Sequence, residues 1–248
     1  MLTLPTTARE RLIVALDFPS AGLALNLVDQ LEDRCLWFKV GLELYLAAGS
    51  SIITSLRDRG FNVFLDLKLH DIPNTVAGAV RAVSSRGASL LTVHAAGGSA
   101  MLRAAVDAAA AAPDAPRLLA VTVLTSMDAA QLAGIGIAAA PAAQVLRLAK
   151  LAASSGIEGL VCSPEEIAQL RAEIPGDPLL VAPGIRPAGA AIGDQRRIAT
   201  PAVAIAAGAS MLVVGRPITQ AADPAAAAEA ILSEMITSTE PLMQAVTL

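Results

Sequence analysis

At 248 residues, the chain has the length of one large α/β domain. Hydrophobic residues make up 54% of it but aromatic residues only 2%, so its core must be built from Val, Leu, Ile and Ala. A net charge of −4 argues against a general nucleic-acid binder, which needs a basic face. Any anionic ligand must therefore be met by local cationic groups.

Targeting signals and cysteine pairs are not evident. Residues 1–11 are partly charged and lack the apolar stretch of a secretory signal, which predicts a cytoplasmic protein. Residues 198–215 are uncharged and long enough to suggest a membrane span, but Pro201 and the glycines after it divide them into a helix and a strand. Cys35 and Cys162 match no metal or redox spacing and are expected to be buried free thiols.

Short runs of Val, Leu and Ile recur along the chain, separated by segments that are typical of helices or loops. Eight such strand-helix units predict a (β/α)8 barrel, an α/β fold that residues 1–248 would form as a single domain. The predicted strands are residues 12–16, 36–40, 62–67, 90–93, 118–124, 159–162, 179–182 and 211–214.

Residues typical of helix ends lie between these runs. Ser163 and Asp223, each followed by proline, indicate helix starts, and Glu166 is expected to complete a capping box with Ser163. Residues 129–143 give no clear pattern. A glycine that tolerates positive φ precedes four of the strands, at Gly60, Gly87, Gly156 and Gly208.

The third predicted strand contains charged residues next to an apolar run. Asp66 and Lys68 should share one face of it, because side chains alternate along a strand, and Asp71 follows where the strand should end. An exposed ion pair here would stabilise the fold by only about 0–1 kcal/mol. The apolar run before Asp66 instead resembles a strand that is covered on both faces, where charges are costly unless they are paired or used. The pattern therefore favours a functional site.

Polar residues follow the other strands too, as a barrel with its site at the carboxyl ends of the strands requires. Gly215 and Arg216 after the last strand, with Arg186 and Gln195 before it, indicate an anion site whose glycine-containing loop, residues 183–197, folds over a phosphate. The remaining strand-end residues are Asp17, Lys39, His94, Thr125, Ser126 and Ser163. His70 and His94 are either acid-base groups or hydrogen-bonding residues of the barrel mouth.

With these segments in this order, the chain resembles the orotidine 5′-phosphate decarboxylase family over essentially its whole length. The resemblance implies conversion of orotidine 5′-phosphate to UMP and CO2, the last step of de novo UMP biosynthesis, by a homodimer that needs no cofactor or metal. The matching segments are residues 13–17, 38–41, 66–75, 121–127, 183–187 and 214–217.

The resemblance also implies residue roles. Lys68 would be the general acid that protonates C6, Asp66 would lie against the substrate carboxylate, and Lys39 and Asp71 would complete an alternating array of charges. Asp71 and Thr75 would reach the neighbouring subunit's site, and Ile72 would be a further substrate contact. The implied substrate contacts are Asp17 and Lys39 at the ribose, Thr125 or Ser126 at the pyrimidine, and Arg186, Gln195, Gly215 and Arg216 at the phosphate, with Pro183 as a further substrate contact.

Two alternatives stay open. The first is a magnesium-dependent sugar-phosphate lyase of the same superfamily, such as 3-keto-gulonate 6-phosphate decarboxylase. Those relatives carry a glutamate metal ligand where this chain has Lys39, and an ammonium cannot ligate magnesium. The second is a non-catalytic binder of phosphorylated ligands, which would have no need for Lys68 between two carboxylates.

Overall fold

The computed structural model of the chain describes residues 5–31, 33–187 and 197–237. Eight parallel strands form a closed barrel in chain order, with β8 paired to β1. The predicted (β/α)8 barrel is confirmed. The strands are β1 (Leu12–Ala15), β2 (Trp37–Gly41), β3 (Asn62–Leu69), β4 (Leu90–His94), β5 (Arg117–Val121), β6 (Gly159–Val161), β7 (Leu179–Ala182) and β8 (Met211–Val214).

Helices alternate with the strands, and two short 3₁₀ turns, Ala95–Gly97 and Pro164–Glu166, follow β4 and β6. The α-helices are α1 (Ala8–Arg11), α2 (Ala21–Leu31), α3 (Leu42–Ala48), α4 (Ser51–Asp58), α5 (Pro73–Ser84), α6 (Gly98–Ala110), α7 (Ala129–Gly134), α8 (Pro141–Ser154), α9 (Ile167–Glu173), α10 (Pro201–Ala206), α11 (Arg216–Thr219) and α12 (Pro224–Thr237). The glycines expected to have positive φ do so, with values of 85° at Gly60, 81° at Gly87, 90° at Gly156 and 101° at Gly208.

Local details differ from the sequence-based predictions at several places, and β3 runs to Leu69 rather than ending at residue 67. The fifth strand ends at Val121 rather than at residue 124. The predicted capping box is incomplete: Ser163 Oγ accepts from the backbone N–H of Glu165 rather than from that of Glu166, and the carboxylate of Glu166 also pairs with Arg197. Helix α7 was not predicted, although a capping box between Asp128 and Gln131 marks its start.

The barrel has two apolar cores because strand side chains alternate between its inside and its outside. Leu12, Val14 and other outward-facing residues pack against the helices. The inward-facing residues form a plug that includes Ala15, Trp37 and Phe64. This plug closes the barrel below the level at which the charged residues begin. Among residues 5–31, 33–187 and 197–237, no helix is both long and apolar enough to cross a membrane.

Candidate active site

A polar layer lies directly above the apolar plug. Along each of the first three strands, the next inward-facing position after a plug residue is charged, which places Asp17, Lys39 and Asp66 at the carboxyl ends of β1, β2 and β3. The strand register keeps them together, because Ala15 pairs with Lys39 and Gly41 pairs with Asp66. The fold therefore brings three of the predicted site residues to one place.

These charges alternate in sign. Lys39 Nζ lies 2.8 Å from Asp17 Oδ1 and 3.7 Å from Asp66 Oδ2. Lys68 Nζ lies 2.8 Å from the same oxygen of Asp66. Since the side chains of Lys39 and Asp66 are only 11% and 12% exposed, either charge would be costly to bury there without the other. The resulting array runs Asp17, Lys39, Asp66, Lys68.

Lys68 has an unusual backbone conformation. Its φ is +50°, in the left-handed region that non-glycine residues rarely adopt. The register between β3 and β4 shifts at this point, because Leu65 pairs with Leu91 and Leu69 with Val93. Two extra residues of β3 are thus accommodated in a bulge, a device that re-aims side chains beside active sites. The prediction that Asp66 and Lys68 share a face is confirmed by the contact between them.

A cavity of about 320 Å³ opens above the array. Most of the predicted site residues line it: Asp17, Lys39, Asp66, Lys68, Thr125, Ser126, Pro183, Arg186, Gly215 and Arg216. Val121, Val123 and Val161 supply an apolar wall. Gln195, the remaining predicted phosphate ligand, lies outside the described residues.

The end of the cavity opposite β3 has the features of an anion site. Gly184 has a φ of +80°, which only glycine adopts without strain, and this turn leads directly into Arg186. Arg186 is 7% exposed and donates from Nη1 to its neighbour Ile185 O at 2.8 Å. Arg216 follows β8 at the solvent-exposed mouth. Two guanidinium groups with Gly215 beside them suit a phosphate group.

Three predicted site residues do not line this cavity within one chain. Asp71, Ile72 and Thr75 are all exposed beyond the end of β3. Asp71 Oδ1 accepts a hydrogen bond at 2.6 Å from the backbone of Ile72. Asp71 thus stands outside the array formed by Asp17, Lys39, Asp66 and Lys68.

Both cysteines are buried free thiols, as predicted. Burial raises the pKa of Cys35 and that of Cys162 to about 12. Cys162 lines the cavity. A thiol with so high a pKa stays protonated near neutral pH and is a poor nucleophile.

Known proteins resemble this chain in both sequence and fold. Residues 10–231 match the model of the orotidine 5′-phosphate decarboxylase / HUMPS family. An orotidine 5′-phosphate decarboxylase of Halorhodospira halophila is 58% identical over 225 residues, covering 91% of this chain and 95% of the relative. The crystal structure of an orotidine 5′-phosphate decarboxylase from Lactobacillus acidophilus superposes with a TM-score of 0.80 at 43% identity, covering 91% of this chain and 98% of the other. The chain belongs to the orotidine 5′-phosphate decarboxylase / HUMPS family.

Two contributors to this family member's site escaped the sequence analysis. A Cβ atom at Gly41 would lie 2.8 Å from Lys39 Nζ and 3.0 Å from Asp17 Oδ1, so any other residue would disturb that ion pair. Thr92, at an inward-facing position of β4, contacts both Asp66 and Lys68. Gly41 has a negative φ and Thr92 is a common strand residue, so neither carries a local signal.

The two histidines stack on each other beside the site. The ring centroids of His70 and His94 are 5.2 Å apart with the planes at 19°. His94 Nδ1 accepts from the backbone of Ala96 at 3.3 Å, which caps the 3₁₀ turn after β4. Neither ring lines the cavity. Burial lowers the pKa of His94 below its usual 6.5, and the nearby charges of His70 and Lys68 lower it further.

This lowered pKa predicts acid sensitivity. In the unfolded chain His94 binds a proton as the pH falls through 6.5, whereas in the folded chain it resists protonation until a lower pH. The unfolded state therefore binds more protons in that window, and the free energy of unfolding should fall as the pH is lowered through it. His94→Asn keeps an acceptor for Ala96 and removes the titration. Calorimetry at about pH 7.5 and about pH 5.5 should show a smaller loss of Tm for the variant. Equal losses would contradict this role of His94.

Proposed function

We propose that this family member is a carboxy-lyase that converts orotidine 5′-phosphate to UMP and CO2, the last step of de novo UMP biosynthesis. One observation carries the proposal most directly. The Lys68 ammonium is held 2.8 Å from the Asp66 carboxylate at one end of a cavity whose other end presents Arg186 and Arg216. The relatives named as orotidine 5′-phosphate decarboxylases support the same substrate.

In this proposal Lys68 is the general acid. Loss of CO2 from C6 of a pyrimidine leaves an electron pair on carbon with no ring position to receive it, so a cation must already stand beside that atom. A proton then passes from Lys68 Nζ to C6, and the lysine is left neutral. Lys68 is suited to this because the strand bulge and the contact with Asp66 fix its position.

Asp66 would lie against the carboxylate that leaves. At 4 Å and an effective dielectric constant of 20, repulsion between two such charges amounts to about 4 kcal/mol. Enzymatic barrier reductions reach roughly 20 kcal/mol, so repulsion supplies the smaller part. The larger part comes from Asp66 holding the Lys68 ammonium ready, which stabilises the transition state more than the bound substrate.

We propose that the two ends of the cavity bind different parts of the substrate. We assign the ribose hydroxyls to Asp17 and Lys39, and the pyrimidine edge to Thr125 or Ser126. Pro183, Arg186, Gly215 and Arg216 line the phosphate end. We assign Gln195 to the phosphate as well, from the sequence alone. Because phosphate binding energy is generated far from C6, it serves to position the ring.

We further propose that the active unit is a homodimer with shared sites, in which Asp71, Ile72 and Thr75 serve the partner. Their position outside their own chain's cavity supports this. The surface beside them is apolar: Ile72 after β3 is 67% exposed, and Leu42 and Leu46 after β2 are 51% and 81% exposed. Exposed apolar residues at neighbouring strand ends are typical of an interface.

No cofactor, metal or nucleic-acid partner is part of this proposal, and we expect one cytoplasmic domain spanning residues 1–248. In the magnesium-dependent alternative, a carboxylate must replace Lys39 as a metal ligand. Here two ammonium groups flank Asp66 and repel a divalent cation. Within the described ranges, no three His, Cys, Asp or Glu residues are grouped so as to hold a metal ion.

The direct test is to add orotidine 5′-phosphate to protein treated exhaustively with EDTA and to follow its conversion to UMP by absorbance. We expect full activity, because Lys68 supplies the cation that the reaction needs. Activity that is lost on chelation and restored by magnesium would assign the chain to the sugar-phosphate lyases. Binding without turnover would assign it to the non-catalytic binders.

Lys68→Ala should abolish turnover while the barrel still folds and binds UMP. The substitution removes the proton donor and the cation at C6, so the loss should appear in kcat. UMP binding by calorimetry is the control for an intact site. A kcat within about tenfold of the wild type would show that another group is the acid.

Mixed dimers test the shared site. Lys68→Ala and Asp71→Ala should each be nearly inactive alone, but in a heterodimer one site carries both lesions and the other carries none. After random exchange of equal amounts, half of the dimers are mixed, so roughly a quarter of the wild-type activity should return. The two variants are unfolded, mixed and refolded, and heterodimers are verified by mass. Verified heterodimers without recovered activity would mean that Asp71 serves its own chain.

A further inference from the structure

Thr92 links the backbone of the proposed acid to the carboxylate beside it. It is fully buried on the inward face of β4. Its hydroxyl oxygen accepts from the backbone N–H of Lys68 at 2.8 Å. The same hydroxyl donates to Asp66 Oδ1 at 3.0 Å. A single side chain therefore contacts two members of the charge array.

The first contact compensates for the bulge in β3. The register of β3 against β4 shifts between two residue pairs, Leu65 with Leu91 and Leu69 with Val93. Lys68 takes its left-handed conformation there, which is unfavourable for a residue with a Cβ atom. A buried N–H without a partner would add a further penalty. The Thr92 hydroxyl gives this N–H a partner and so helps hold Lys68 in the conformation that aims its ammonium at Asp66.

The second contact sets the orientation of Asp66. An ionised carboxylate only accepts hydrogen bonds, and the Lys68 N–H only donates, so the direction of both bonds at the Thr92 hydroxyl is fixed. The Thr92 hydroxyl is hydrogen-bonded to Oδ1 of Asp66, and the ammonium groups of Lys68 and Lys39 pair with Oδ2. Rotation of the carboxylate would break contacts on both of its oxygens.

We propose that Thr92 is a positioning residue for decarboxylation, which holds the Lys68 backbone and the Asp66 carboxylate in their working geometry through one hydroxyl. This inference rests on the proposed function. A misplacement of about 1 Å at a reacting centre lowers rates by about 100-fold, so a small rearrangement of this pair has a large effect on kcat.

The test compares two buried threonines of the barrel. Thr92→Val removes the hydroxyl at nearly constant volume, and Thr92→Ser retains it. Thr122→Val is the matched control, because Thr122 is also buried and its hydroxyl donates at 3.0 Å to the backbone of Val161, away from the charge array.

We expect Thr92→Val to lower kcat by about 100-fold at saturating orotidine 5′-phosphate, with KM changed less than about threefold. Thr92→Ser should recover most of the lost kcat, and Thr122→Val should leave kcat unchanged although both valine variants lose some Tm. Equal kcat values for Thr92→Val and Thr122→Val, or a serine variant as impaired as the valine variant, would overturn the proposal. If Thr92→Val does not fold, Thr92→Ala is compared with Thr122→Ala instead, and we again expect kcat to fall only in the Thr92 variant.

Crystal structures of the two valine variants separate this inference from the proposed function. An inactive wild type would refute the decarboxylase assignment, whereas the positions of Lys68 and Asp66 can be measured whatever the activity. We expect Lys68 to leave the left-handed region and the Asp66 carboxylate to rotate in Thr92→Val only. An unchanged Lys68 φ and an unchanged Asp66 carboxylate in that variant would show that Thr92 does not position them.

Discussion

The carboxylate of Asp66 is the charge on which the rest of the site depends. Lys68 and Lys39 both lie within salt-bridge distance of its Oδ2, and Thr92 occupies its Oδ1. Without this carboxylate, two ammonium groups would lie near each other in a partly buried site, and their repulsion would be unfavourable. The Asp66 carboxylate holds the Lys68 ammonium above the barrel core before substrate binds. The site therefore need not rearrange its charges during the reaction, which is the condition for electrostatic catalysis.

The barrel supplies the low-dielectric floor beneath these charges. The plug residues Ala15, Trp37 and Phe64 precede the array by one inward-facing position on their strands. Water is thereby kept from one side of the array, and Coulomb interactions there are stronger than at an open surface. Two of the chain's few aromatic side chains, Trp37 and Phe64, belong to this inner core, and the other strands supply Leu, Val and Met side chains.

A second buried ion pair supports the far side of the cavity. Glu166 after β6 pairs with Arg197, which also donates to the carbonyl oxygens of Val123 and Leu124 at 3.2 and 3.0 Å. Burial raises the pKa of Glu166, while the Arg197 guanidinium beside it acts in the opposite direction. Because Leu124 directly precedes Thr125, this guanidinium fixes the segment that we assign to the pyrimidine edge.

By itself, the sequence determined the barrel and most of the cavity, because eight apolar runs, their alternation and the polar residues at their ends are local patterns. Lys68 and Asp66 were predictable as a pair for the same reason. Only the tertiary structure showed Thr92 between them, Gly41 beside the ion pair of Lys39 with Asp17, and Arg197 paired with Glu166, since each of these arrangements involves residues on different strands or loops. Such contacts depend on strand register and on the bulge in β3, and register is a property of the closed barrel that no single segment encodes.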